Sequence, residues 1–339
     1  MKILRAAHLG MCFGVRDALA LARHEARSHP ITILGDLVHI PTVLGALQAQ
    51  GVQTVQEVQQ VRTAHVLITA HGVSDRRLAS LRTRGLTVRE ATCPLVRLAH
   101  RAVVALAREG YHPLIIGRRD HVEVRGLTED LPAFDVVGEE REVARLAERA
   151  RWGVVAQTTQ PIQRVRRLVE ALRARFPEAE VKFVDTVCQP TKLRQNAAMV
   201  LAVHCDAVVV IGGEQSNNTR ELVATCRQHG ARVHHIQRAA DLRPEWFAGA
   251  GTVGLTAGTS TPDAVIAEVE VKLRAWAAEW EAPETPVVDR AWVSQVRWAD
   301  APCGAAETQG HAAETAIAAE SSSFVPEHAA ECKEVLAHV

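Results

Sequence analysis

The sequence predicts an α/β protein built from three α/β segments related by a pseudo-threefold axis, with mainly parallel sheets around a shared centre. Three observations predict it. Short apolar, β-branched stretches such as VVVIG and LIIG alternate with helix-length amphipathic stretches up to residue 281, the pattern of parallel strands buried beneath helices. One design occurs three times: a cysteine, an apolar-faced helix, then a strand running into a glycine and a polar loop. It begins at Cys12 (MCFGVRDALALARHEA, then ITILGDLVH), Cys93 (TCPLVRLAHRAVVALAREG, then PLIIGRRDHVEV) and Cys188 (VCQPTKLRQNAAMVLAVHC, then AVVVIGGEQSNNT). The interval is nearly constant, from Cys12 to Gly35, Cys93 to Gly117 and Cys188 to Gly212, and four residues past each glycine stands His39, His121 or Ser216.

The elements follow in order. In segment 1–92, MKIL reads as a strand, PTVLGALQAQG as a helix ended by Gly51, and HVLITAHGVS as a strand opening into a polar loop. RRLASLRTRG is helical, and LTVREATC is a strand delivering the next cysteine. Segment 93–187 continues with strand FDVVGE, helix EEREVARLAERA, strand WGVVAQTTQ, helix QRVRRLVEALRARF and strand VKFVDTVC. The run HVEV after Gly117 reads as strand-like, which puts His121 and Glu123 on one face. Segment 188–281 adds helix TRELVATCRQHG, strands ARVHHI and TVGLTAGTS, and the long helix PDAVIAEVEVKLRAWAAEW. Segment 282–339, rich in Ala, Glu and Ser without periodicity, reads as a largely flexible extension.

Composition excludes several classes. In 339 residues, 39 basic side chains balance 39 acidic ones, so no electrostatic footprint for nucleic acid or an anionic membrane exists. No apolar run is long enough to span a bilayer, and MKILRAAHLG lacks the apolar core of a secretory signal. Seven scattered cysteines, an odd count, fit a reducing cytoplasm better than a disulfide framework.

In open α/β sheets, ligands bind beyond the carboxyl ends of the strands. Those ends carry His39, His71, His121 with Glu123, Gln157 with Thr158 and Thr159, Ser216 with Asn218, and Ser260. Each of Cys12, Cys93 and Cys188 directly precedes a helix, whose N-terminus favours thiolates and any centre they hold. Three thiolates with a vacant fourth position suit a [4Fe–4S] cluster whose open iron is a Lewis acid and electron relay. Unpaired cysteines are also common inert core residues, the reading that fits Cys205 and Cys226. Zinc is disfavoured by the absence of paired CxxC motifs.

GGEQSNNTREL and TAGTSTPD place Ser216, Asn217, Asn218 and Ser260 before helices, where hydroxyls and backbone amides face phosphate oxygens or simply cap the helix. Glu123, in a dry pocket, would have a raised pKa and donate a proton; a solvated glutamate paired with Arg118, Arg119 or Arg125 is the alternative.

In order along the chain, GMCFGV, AHGVS, ATCPLV, QTT, DTVC with TKLRQ, GGEQSNNTREL and TAGTSTPD closely resemble the 4-hydroxy-3-methylbut-2-enyl diphosphate reductase family, from Met1 to about Glu279. The resemblance implies three α/β domains around a central [4Fe–4S] cluster held by Cys12, Cys93 and Cys188. It implies an iron–sulfur oxidoreductase that reduces the allylic alcohol diphosphate to isopentenyl and dimethylallyl diphosphate, the last step of the non-mevalonate isoprenoid pathway. Glu123 would be the proton donor. His39, His71, His121, Thr158, Ser216, Asn217, Asn218 and Ser260 would bind the substrate, and an external donor such as a ferredoxin or flavodoxin would supply electrons. The chain departs from the family pattern at Ile40, Val122, Arg125 and Asn217. The other readings are a dehydratase resembling quinolinate synthase, with a similar three-cysteine cluster and no net redox change, and a non-catalytic iron–sulfur sensor.

Overall fold

One strand order is used three times. A computed structural model of the chain describes residues 1–38 and 40–279. His39 and the expected extension 282–339, with Cys303 and Cys332, lie outside the described residues. The first sheet has the order β3-β2-β4-β5, formed by β2 (Ile31–Leu34), β3 (Gln53–Val55), β4 (His65–Ile68) and β5 (Thr87–Glu90). The second has the order β7-β6-β8-β9, formed by β6 (His112–Ile116), β7 (Asp135–Val137), β8 (Arg151–Ala156) and β9 (Glu180–Phe183). The third contains β10 (Ala207–Ile211), β11 (Arg232–Ile236) and β12 (Thr252–Ala257), with β1 (Lys2–Arg5) as its fourth strand beside β12. Every pairing is parallel.

The position of β1 corrects the first expected boundary. The sequence assigns residues 2–5 to segment 1–92, but Lys2 to Arg5 run in register with Thr252 to Leu255. The physical reason is burial: Ile3 enters the same apolar cluster as Val253, Leu255 and Ile266, and a strand alone could satisfy neither its ladder nor its apolar face. The chain's first strand thus supplies the edge that β5 and β9 supply in the other sheets. In consequence the three cysteines are equivalent in detail, because each follows a fourth strand: β1 leads to Cys12, β5 to Cys93 and β9 to Cys188.

Helices cover the sheets: α1 (Phe13–Ala26), α2 (Pro41–Ala49), α3 (Asp75–Thr83), α4 (Pro94–Arg108), α5 (Val122–Thr128), α6 (Glu140–Val143), α7 (Ile162–Arg175), α8 (Gln189–His204), α9 (Asn217–Gln228) and α10 (Asp263–Glu279). Their apolar positions recur at three- and four-residue spacing. In α7, for example, Ile162, Val165, Leu168, Val169 and Leu172 are buried against Leu114, Trp152 and Val154 of the second sheet.

Two local readings change. The run HVEV is not a strand: Val122 opens α5, because the His121 ring caps it by accepting from Glu123 N–H at 3.2 Å and Val124 and Leu127 share one buried face. The expected helix over EEREVARLAERA stops at Val143. Beyond its Glu139–Glu142 capping box only Val143 and Leu146 reach the core, too little apolar surface to hold further turns.

Candidate active site

The three cysteines are held alike. Each is the N-cap of a helix, Cys12 of α1, Cys93 of α4 and Cys188 of α8. Each donates its own N–H to a carbonyl two residues past the third strand of its sheet: Cys12 to Thr259, Cys93 to Ala70 and Cys188 to Thr158, all at 3.0 Å. The loop glycines are equivalent too, with Gly35, Gly117 and Gly212 donating to Val55, Val137 and Ile236 at 2.8, 2.9 and 2.9 Å. These repeated bonds make the pseudo-threefold relation a matter of backbone geometry as well as of sequence spacing.

The thiols converge. Burial pushes the Cys93 thiol far above its ordinary range, and negative charge on Cys12 and then Cys188 pushes it further, against the pull of the Leu95 and Val96 N–H groups. Burial pushes the Cys188 thiol up to about 11, opposed by a hydroxyl contact from Thr191 at 3.1 Å and reinforced by charge on Cys12 and on Glu123. Such sulfurs stay protonated unless a cation takes the place of the proton. Among the described residues no three His, Cys, Asp or Glu side chains close on a single ion. Three equivalent thiols that feel one another's charge are the donor type that holds an iron–sulfur cluster, in which each thiolate takes a different iron. The donor set and its mutual electrostatic coupling therefore fit that group.

Glu123 is fully buried in the first turn of α5. Its Oε1 accepts from Thr158 N–H at 2.6 Å and its Oε2 from the Thr158 hydroxyl at 3.0 Å. Burial raises its pKa to about 7 despite both bonds. The ion-pair alternative fails on geometry: Arg125 pairs with Glu57 at 3.3 Å and Glu129 at 3.8 Å, and Arg119 donates to the Val136 carbonyl. Asn218 occupies the equivalent place in the third sheet, six residues past the loop glycine, and its Oδ1 accepts from Thr259 N–H at 3.0 Å as Glu123 does from Thr158. An acid and an amide thus face the site from matching positions.

The other expected residues, His39 apart, gather at the same strand ends. The rings of His71 and His121 meet edge to face, 5.5 Å apart. Ser216 caps α9 by accepting from Thr219 N–H at 3.3 Å. Asn217 donates to the Thr159 hydroxyl at 3.1 Å, which ties the second sheet's loop to the third's. Asn218 Nδ2 and Ser260 Oγ are buried without a hydrogen-bond partner, an arrangement that a bound polar ligand satisfies.

Two supporting residues gain a role that the sequence did not assign: Gln157, read there only as a polar strand end, and Arg194. Gln157 accepts from Arg118 N–H and from Gln160, both at 3.1 Å, and sets the loop that holds Thr158. Arg194, buried in α8, donates to the Gly10 carbonyl at 3.0 Å and so links the Cys188 helix to the turn before Cys12. Both lie inside the QTT and TKLRQ motifs, the one signal that marks them.

Known proteins resemble the chain over most of its length. The family described as LytB protein matches residues 3–274. A 4-hydroxy-3-methylbut-2-enyl diphosphate reductase from Geotalea uraniireducens is 36% identical over 271 residues, 79% of this chain and 95% of its own. One of the same description from Aquifex aeolicus is 35% identical over 280 residues, 81% of this chain and 96% of its own. A solved structure of (E)-4-hydroxy-3-methyl-but-2-enyl diphosphate reductase, the terminal enzyme of the non-mevalonate pathway, is 34% identical with a TM-score of 0.60, covering 81% of this chain and all of its own.

Proposed function

Because the chain belongs to the LytB protein family, we propose that it acts as a 4-hydroxy-3-methylbut-2-enyl diphosphate reductase, replacing the allylic hydroxyl with hydrogen to give isopentenyl and dimethylallyl diphosphate. Homologues that span nearly their whole length on this chain bear that name. A dehydratase or a silent sensor would share the three thiols but not this family.

One observation carries the reading: a fully buried carboxyl, held by two hydrogen bonds from Thr158, is coupled to Cys188, one of three equivalent thiols that feel one another's charge. Cys12, Cys93 and Cys188 would hold a [4Fe–4S] cluster, which supplies electrons and a Lewis-acidic iron when bound. Thr158 fixes the Glu123 carboxyl through two hydrogen bonds, and a pKa of about 7 leaves it protonated on roughly half the molecules at neutral pH. Glu123 hands this proton to the departing hydroxyl, which leaves as water. Two electrons and a second proton complete the exchange of oxygen for hydrogen.

The diphosphate is held by His39, His71, His121, Thr158, Ser216, Asn217, Asn218 and Ser260. Support comes from the unsatisfied Asn218 amide and Ser260 hydroxyl and from the α9 N-terminus, which opens at Asn217 in the loop that follows β10. Electrons come from an external carrier such as a ferredoxin or flavodoxin, in a reducing cytoplasmic setting. Among the described residues no helix is long and apolar enough to cross a membrane.

The test is reconstitution. Metal-free protein is given iron and sulfide under anaerobic conditions, then the allylic diphosphate with dithionite and a viologen mediator. Both products should form only after reconstitution. Product formation equal in the metal-free protein would refute the cluster as the seat of activity.

A further inference from the structure

The outer face of the Cys188 helix is not used by the chemistry above. A cleft opens there between α7, α8 and α9, lined by Gln195 and Met199 of α8, Arg164 and Arg167 of α7, and Glu221 and Gln228 of α9. Val203, one turn beyond Met199, is 63% exposed, one of only two large apolar side chains so exposed among the described residues. Gln195, Met199 and Val203 recur every four residues and so form one stripe along α8.

Two groups along this stripe lack partners. Gln195 is buried, yet its Nε2 has no hydrogen-bond partner. Arg164 is engaged by Glu221 at 2.7 Å, whereas Arg167 forms no ion pair or hydrogen bond among the described residues. Its helix carries five arginines and one glutamate, in a chain whose net charge is zero. An apolar strip beside an unpaired arginine has the composition of a protein-docking surface, an apolar centre with a polar rim and arginine contacts. Its charge selects an acidic partner and steers the encounter.

The place of the cleft says which acidic partner. Gln195 lies seven residues past Cys188 on a continuous helix, roughly 10 Å along its axis at 1.5 Å per residue. The α9 wall begins at Asn217, and Pro161 at the cleft's edge follows the loop that carries Thr158. The cleft therefore shares the Cys188 helix with the site, and its Pro161 edge lies three residues past Thr158.

We propose that this cleft is where a small acidic electron-carrier protein docks, with one of its carboxylates on Arg167 and an apolar contact over Met199 and Val203. The proposal rests on the reductase reading. Each encounter oxidises the carrier by one electron and reduces the site by one, so two encounters serve each product molecule.

The test compares two sources of electrons for cluster-loaded wild type, Arg167→Glu and Val203→Asp. With a reduced acidic ferredoxin at limiting concentration, both variants should turn over about tenfold or more slowly, and Arg167→Glu should lose the wild-type sensitivity to salt. With dithionite and a viologen, both should match wild type, with unchanged iron content. Ferredoxin-driven rates within about twofold of wild type in both variants would overturn the docking site. So would equal losses with both reductants. Wild type inert with dithionite would refute the reductase reading itself, and the docking proposal with it.

Discussion

Gly14 and Cys93 are in contact across two helix starts: a Cβ placed on Gly14 would stand 2.7 Å from the Cys93 sulfur and 3.0 Å from its Cβ. Gly14 lies in the first turn of α1, two residues past Cys12, so the cysteine-bearing ends of α1 and α4 meet with no side chain between them. The glycine of GMCFGV is thus a spacing device. Its backbone is ordinary helix, so left-handed freedom is not its purpose.

Gly14→Ala isolates this contact, because alanine favours the helix while its methyl must displace the Cys93 thiol. The variant should fold with an undiminished melting temperature. The iron and sulfide concentration for half-reconstitution should rise by about tenfold, the usual cost of disturbing a ligand's support. Wild-type reconstitution would show that the Cys93 sulfur does not serve as a ligand in this position.

The three equivalent thiols should separate from the remaining described cysteines. Serine at Cys12, Cys93 or Cys188 should abolish the cluster's visible absorbance. Serine at Cys205 or Cys226 should leave it, since these thiols sit in an apolar cluster with Ala198, Leu201 and Val208. Full absorbance in Cys93→Ser protein would contradict the assignment.

Glu123 also leaves a signature in the metal-free protein. Its pKa rises from an ordinary 4.5 to about 7 on folding, chiefly through burial. Below 4.5 both folded and unfolded chains hold the proton and nothing is lost. Between the two values the unfolded chain releases it first, so stability falls as pH rises, reaching a full penalty of about 3 kcal/mol above pH 7. Glu123→Gln should therefore stabilise metal-free protein at pH 8 and have little effect at pH 4.5, as read by chemical denaturation at both. In the loaded enzyme the same change should lower turnover per cluster by about a hundredfold or more. Equal stability changes at both pH values would place the carboxyl in water.

Removing the two unsatisfied donors tests the diphosphate contacts. Asn218→Ala and Ser260→Ala together should weaken binding of the allylic diphosphate by about 1.5–3 kcal/mol for each lost bond to a charged group. Calorimetric titration of the loaded double variant measures this, and unchanged affinity would move the diphosphate elsewhere.

Much of this site was legible in the residues. Cysteine-to-glycine spacing located all three N-caps, and the polar residues after each glycine located the loops, because parallel strands force ligand groups to their carboxyl ends. Three things were not legible. Strand pairing between residues 2–5 and 252–255 depends on contacts 250 residues apart, which no local pattern encodes. The HVEV run alternates like a strand over four residues, but its conformation is decided by the His121 cap and by Val124 and Leu127 docking on the second sheet. Likewise Gly14 looks like any helix glycine until Cys93 is seen above it.

The most direct measurement counts electrons against product. Loaded wild-type protein is supplied with a known amount of reduced viologen and excess allylic diphosphate in a sealed anaerobic cell, and viologen oxidation is compared with isopentenyl plus dimethylallyl diphosphate formed. Two electrons consumed per product molecule is the expected result. Conversion of the substrate with no viologen oxidised, or viologen oxidised with neither product formed, would contradict a reductase built on Cys12, Cys93, Cys188 and Glu123.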